Sequence, residues 1–150
     1  MDNVWEAILA GLAVYLVICL VWYIIMIVAN WKIFTKAGEA GWKSIIPFLN
    51  TYVIYKIAWS ARMFWLMFGA LVAGSVCTGI AGDEGGVLAI IGAVLSLIGG
   101  VSGIIVTHKL SKSFGHGIGF TLGLLFLSPI FTLILGLGSS TYIGPNGGEG

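Results

Sequence analysis

Charge is what this sequence has least of. Asp, Glu, Lys and Arg make up 9% of its 150 residues, against roughly 25% in an ordinary soluble domain, while hydrophobic residues make up 59%. A chain this short buries only part of its surface on folding, so no water-soluble interior could take up that much apolar surface, and the solvent implied is lipid. The formal net charge is +1, which supplies no concentrated basic surface for phosphate and excludes nucleic acid as a partner. Cysteine is equally sparse. Cys19 and Cys77 fall in separate apolar runs at different expected depths, so a disulfide between them would have to cross much of half the membrane; they read as small apolar residues. No cleavable leader is expected, because the N-terminal flank is acidic and the run 7–29 is long enough to span.

The few charges present are segregated. All the bases, Lys32, Lys36, Lys43, Lys56, Arg62, Lys109 and Lys112, fall in two clusters that a four-span reading places on one side of the bilayer. Asp2, Glu6, Asp83, Glu84 and Glu149 lie in the other polar segments, and Glu39 alone shares ground with the bases. Lys and Arg stay cytoplasmic in this pattern, so both termini are expected outside. The fold class expected is an all-α membrane protein: one integral domain over 1–150 with spans at about 7–29, 63–81, 87–107 and 118–137. The first span is bracketed by Trp5 and by Trp22, Tyr23 and Trp31, as interfacial aromatics usually are. Pro129 lies inside the fourth, where a kink is expected and Ser128 can meet part of the freed backbone.

The apolar stretch 47–81 is too long for one span, and a single helix there would draw Lys56 and Arg62 toward lipid. It divides more naturally into a second span and a preceding helix at about 47–60. Pro47 suits a first helical turn, and Phe48, Tyr52, Tyr55 and Trp59 recur on one helical face. An aromatic stripe beside Asn50, Lys56 and Ser60 predicts a cytoplasmic interfacial or re-entrant amphipathic helix.

Chemistry has few places to reside. The expected spans hold no Asp, Glu, Lys or Arg, and such groups mark proton relays and ion sites; coupled transport within one copy is therefore not expected, whereas passive permeation needs no charge. His108 and His116 flank the loop 111–117 without the further ligands that zinc requires. Ser111, Lys112 and Ser113, like Lys43 and Ser44, place Ser and Lys side by side, but adjacent residues on a helix do not face each other. No catalytic residue, metal or cofactor is expected. Packing is the stronger local signal. Gly is present at about twice its usual share, with 23 residues. Gly92, Ser96, Gly99 and Gly103 line one face of the third span, and Gly115, Gly119 and Gly123 repeat at the GxxxG interval into the fourth. Small residues at these intervals let helices approach closely, so contact is expected between spans three and four, or between copies of the chain.

The cytoplasmic segment carries Trp31, Lys32, Phe34, Lys36, Gly38, Gly41, Trp42, Lys43, Pro47, Asn50 and Tyr52 in the order WKxFxKAGxxGWKxxIPxxNxY. This resembles a family of small bacterial multi-span membrane proteins of unknown function, some of whose members look like neighbours of, or fusions to, signal peptidase I. The likeness runs on through Lys56 and Trp59, the loop 108–115 and the segment 138–145. It implies a bacterial cytoplasmic membrane and a shared cytoplasmic motif, and it implies no reaction: a signal peptidase needs a Ser and Lys dyad at the outer face, and every Lys here is expected inside. The sequence therefore favours a non-enzymatic, self-associating structural or accessory module in the lipid bilayer, in contact with its own copies or another membrane protein. The alternative is a homo-oligomeric channel or pore for ions or small solutes, and behind it a peptidase-associated helper.

Overall fold

The described residues are helical almost throughout, the arrangement that satisfies main-chain groups within each apolar segment, and no strand occurs among them. The computed structural model describes residues 1–148; Glu149, one of the expected outer acids, lies outside them. The helices are α1 (Asp2–Lys36), α2 (Pro47–Ala58), α3 (Ala61–Ala81), α4 (Val87–Ser113), α5 (Ile118–Phe126) and α6 (Ser128–Leu137), with short 3₁₀ turns at Gly41–Ser44, Gly82–Glu84 and Pro145–Gly148. Three of the helical segments are long and apolar enough to cross a membrane: Asp2–Lys36, Ala61–Glu84 and Val87–Ser113. At 35 residues, α1 is about 52 Å long by its rise, well beyond the roughly 30 Å of hydrocarbon.

The division of 47–81 has a clear cause. Helix α2 starts on Pro47 and stops at Ala58, and Ser60 then opens α3 by accepting a hydrogen bond from the Met63 amide. The aromatic stripe of α2 faces protein. Phe48, Tyr52 and Tyr55 all approach the ring of Phe64, with centroids at 5.2, 5.3 and 6.0 Å. Val53, Tyr55, Ile57 and Ala58 are buried in a core shared with Ile33, Phe34, Val106, Phe114 and Leu135. Helix α2 is thus the hub of the charged end of the molecule.

The single fourth span expected over 118–137 is not what the chain forms. Its helix breaks at Leu127 (φ −123°, ψ 44°), and the ring of Phe120 meets that of Phe131 at 5.1 Å. A straight helix would separate those residues by about 16 Å along its axis. The pair α5 and α6 is therefore a hairpin, and Pro129 sits in the first turn of α6, where its missing N–H leaves nothing unpaired. Both ends of the hairpin return to the same place. His116 Nε2, before α5, lies 2.7 Å from Ser140 Oγ, after α6, and the Ile143 amide donates to the Ser113 carbonyl at 2.8 Å. Residues 138–145, expected on the side opposite Lys36, instead lie beside it, since Lys36 Nζ donates to the Leu135 and Gly138 carbonyls at 2.7 and 2.9 Å.

The glycine seam also falls elsewhere than expected. A Cβ on Gly92 would stand 2.9 Å from the Gly74 carbonyl oxygen and 2.6 Å from Thr78 Cγ2, and one on Gly99 would collide with Leu71. Ser96 faces Gly74 across the same line. Spans two and three, α3 and α4, make this close contact. A Cβ on Gly103 or Gly119 would meet nothing within 4 Å, and Gly123 is closed off by the Phe131 ring inside the hairpin. Within one copy, then, the third span does not use these residues against the fourth segment, because that segment turns back at Leu127. Gly92→Ala should lower stability in detergent by about 1–3 kcal/mol, the usual effect of overpacking, while Gly119→Ala should stay within roughly 1 kcal/mol of wild type. Melting curves of the two variants compare them directly.

Candidate functional site

The residues of the motif that runs from Trp31 to Tyr52 assemble around the elbow between α1 and α2. Helix α1 ends because Gly38 takes φ +79°: the Glu39 amide then reaches the Phe34 carbonyl at 2.8 Å and the Gly38 amide that of Thr35 at 3.1 Å, a Schellman closure. Gly115 (φ +78°) ends α4 in the same way, with His116 N on Ser111 O at 3.0 Å and Gly115 N on Lys112 O at 2.9 Å. The chain then runs back along α1. A Cβ on Gly41 would overlap the Trp31 indole, the Tyr23 hydroxyl donates to Ile45 O at 2.9 Å, and Asn50 Nδ2 reaches Ser44 O at 3.3 Å. Phe34 is buried, Tyr52 packs on Phe64 and Trp65, Trp42 is half exposed and Lys32 is exposed.

Charge at this end is organised by one acid. Glu39 accepts from Lys56 at 2.6 Å and from Lys43 at 2.9 Å. The hydrogen bond from Lys56, with that from Lys43, outweighs desolvation and holds the Glu39 carboxyl below the usual carboxylate range, and the same contact raises the Lys56 ammonium. The Tyr142 phenol, raised chiefly by burial, donates to the Ile57 carbonyl at 2.6 Å. Lys109 stands over the Trp59 ring, 5.0 Å from its centroid.

Between α1, α2, α4 and the hairpin lies a cavity of about 200 Å³, with Asn30, Thr107, Ser128 and Thr132 among its lining residues and Met26, Ile33 and Leu135 on its apolar side. Asn30 Nδ2 donates to Met26 O at 2.9 Å and Thr107 Oγ1 to Gly103 O at 2.8 Å. A cavity with several polar groups is roomy enough for ordered water, and it adjoins the break at Leu127, where freed main-chain groups require a partner. Sequence reading named Ser128 for the backbone freed at Pro129 but did not single out Asn30, Thr107 or Thr132. For the pair on α6 the available signal was spacing: Ser128 and Thr132 interrupt an apolar run at i and i+4, one helical face.

The histidines take separate partners. His108 Nδ1 pairs with Thr121 Oγ1 at 2.9 Å, and the His116 ring stacks on Phe120 at 4.1 Å. Among the described residues no three His, Cys, Asp or Glu converge. The Ser44, Ser111 and Ser113 hydroxyls each donate to main-chain carbonyls, of Gly41, Gly117 and Lys109 at 2.8, 3.0 and 2.7 Å.

Residues 42–145 match a family of unknown function, DUF5684. The match begins at Trp42, so it takes in Lys43, Pro47, Asn50 and Tyr52 but stops short of Trp31 to Gly41. No curated protein and no solved structure matches the chain.

Because Glu39 is held below its ordinary value, its contribution is present above the unfolded carboxylate pKa and is lost as pH falls through the folded one; the contribution of the raised Lys56 is lost only at alkaline pH. Glu39→Gln should therefore lower stability near neutral pH by about 1 kcal/mol, modest because Lys56 is nearly half exposed. The difference from wild type should shrink as the pH is taken into the acid range. Thermal melts of both proteins across pH test this.

Proposed function

We propose that this chain, which belongs to the family of unknown function DUF5684, is a non-enzymatic integral membrane protein that works as a self-associating structural or accessory module. Three spans cross the bilayer, and the α5 and α6 hairpin dips into one leaflet and returns. Segregation of the bases puts the charged end in the cytoplasm and the N-terminus outside; residues 138–148 go with the charged end. The resemblance noted for the cytoplasmic motif supports a bacterial cytoplasmic membrane, with a peptidase-associated role as a minor reading.

The observation that carries self-association is the isolation of α1. Every residue from 2 to 24 is exposed, and the helix packs on α2, α6 and the Gly41–Ser44 turn only through its C-terminal part. The free part bears Ala7, Gly11, Val14 and Ile18 at helical spacing, and a shallow depression lined by Ala13, Val14, Val17 and Ile18. Small residues beside β-branched ones suit close helix association in lipid, where packing rather than hydrophobic drive holds spans together.

A second reading, a pore for ions or small solutes, has the polar cavity beneath the broken helix in its favour, since polar groups at a discontinuous helix are how transmembrane sites are commonly built. Gly11→Cys, Val14→Cys and Ile18→Cys, each alone in a Cys19→Ala, Cys77→Ala background, should cross-link between copies on oxidation in native membranes, and the protein should size as more than one copy in mild detergent. A monomer that cross-links at none of them would sink the self-association reading. Solute flux through protein-containing vesicles, reduced by Thr132→Val, would favour the pore instead.

A further inference from the structure

Beneath the elbow that joins α2 to α3 lies a lateral groove of about 370 Å³, within the roughly 300–1,000 Å³ typical of ligand sites. Met63 and Leu66 form one wall, Ile98, Val101 and Ile105 the other, and Trp59 stands at the mouth. The one hydroxyl in the lining, Ser102, is already engaged by Tyr55 Oη at 2.9 Å and by Gly99 O at 2.6 Å. The groove is therefore apolar along its length, and it runs between two helices that cross the membrane. From Ile98 to Ile105 it extends about 10 Å along α4, a length suited to the upper part of a hydrocarbon chain.

Each wall continues, one helical turn toward the charged end, into a base. Arg62 lies four residues before Leu66 on α3, and Lys109 four residues after Ile105 on α4; residues four apart share a helix face. The Lys109 ammonium is within reach of the mouth, since Trp59 carries it on its ring. Among the described residues neither base is paired with a carboxylate, because Glu39 is bound by Lys43 and Lys56. An apolar trough that ends in two uncompensated cations fits a molecule with a hydrocarbon tail and an anionic head.

We propose that this groove is a binding site for an anionic phospholipid of the leaflet at the charged end, one acyl chain lying against Leu66, Ile98 and Val101 and the phosphate held between Arg62 and Lys109. Such a site is independent of whether the chain self-associates. It differs from general contact with lipid in demanding a charge at one place. Two basic residues near a membrane surface together should give a preference for an anionic headgroup of roughly tenfold or more.

Native mass spectrometry of the full chain in mild detergent tests this, with phosphatidylglycerol, phosphatidylcholine and free glycerol phosphate as probes. Wild type should retain phosphatidylglycerol about tenfold better than phosphatidylcholine, and glycerol phosphate should not displace it. Arg62→Gln with Lys109→Gln should abolish the preference while weak binding of both lipids persists; Arg62→Lys with Lys109→Arg should keep it. Val101→Trp, which fills the trough from a half-exposed position, should reduce retention of both lipids. Lys32→Gln, which removes a base far from the groove in sequence, should change nothing. Helicity and melting in lipid-free detergent identify any variant that has not folded, and the charge-preserving pair and Val101→Trp then decide the matter. Equal retention of the two lipids by wild type, a preference that survives loss of both bases, an equal loss in Lys32→Gln, or displacement by glycerol phosphate would each overturn the proposal.

Discussion

Hydrocarbon offers no hydrogen-bond partner, so each main-chain group released where a helix stops must be met by the protein itself or by water. That constraint shapes the whole charged end of this molecule, where helices stop again and again within a small volume. Lys36 and Ser113 end their helices by Schellman closures on Gly38 and Gly115. Ser60 caps α3, and the Lys36 ammonium meets two carbonyls at the end of α6. The Tyr142 hydroxyl and the Ile143 amide close the C-terminal segment onto Ile57 and Ser113. Because the closures made by Lys36, Tyr142 and Ile143 use partners from a different part of the chain, α1, α2, α4 and the hairpin become one knitted body, while the opposite end needs only the short turn between α3 and α4.

Much of this was legible from residues alone. Three spans follow from uninterrupted apolar length, and the cut between α2 and α3 follows from Pro47, from the charges on Lys56 and Arg62, and from the aromatic period, with bounds that shift by about two residues. The hairpin was not legible in the same way. Residues 118–137 have the length and hydropathy of a span, and a proline inside a membrane helix ordinarily gives a kink. What turns the kink into a reversal is tertiary: Gly123 leaves room for Phe131 to fold back, and Lys36, from the far end of the sequence, holds the returning end. Hydropathy measures how well a segment tolerates lipid and is silent about whether it crosses. The glycine pattern was ambiguous for a related reason. The spacing on α4 announces a close approach but does not say which helix approaches, and the partner, Gly74 with Thr78, is on α3.

The motif at the elbow is largely structural in its geometry. Gly38 and Gly41, Phe34 and Pro47 each have a backbone or packing reason to be what they are, and Lys36, Lys43 and Asn50 are engaged in contacts within the chain. This leaves a rigid charged base from which α1 rises alone and beside which the α3 and α4 pair stands. A molecule so divided has a fixed part and an unpacked part. The polar cavity lies at the junction of the two, where Asn30 of α1 meets Ser128 and Thr132 of α6.

The long-range closures at the charged end depend on the hairpin's return, and sided labelling of single cysteines in intact cells measures that most directly. In a background lacking Cys19 and Cys77, cysteines replacing Lys36, Asp83 and Ser140 should divide into two groups under a membrane-impermeant thiol reagent. Position 83 should react from outside, while 36 and 140 should react only once the membrane is opened. Labelling of 140 from outside together with 83 would mean that residues 118–137 cross the bilayer, and it would contradict the hairpin and the knitted base built upon it.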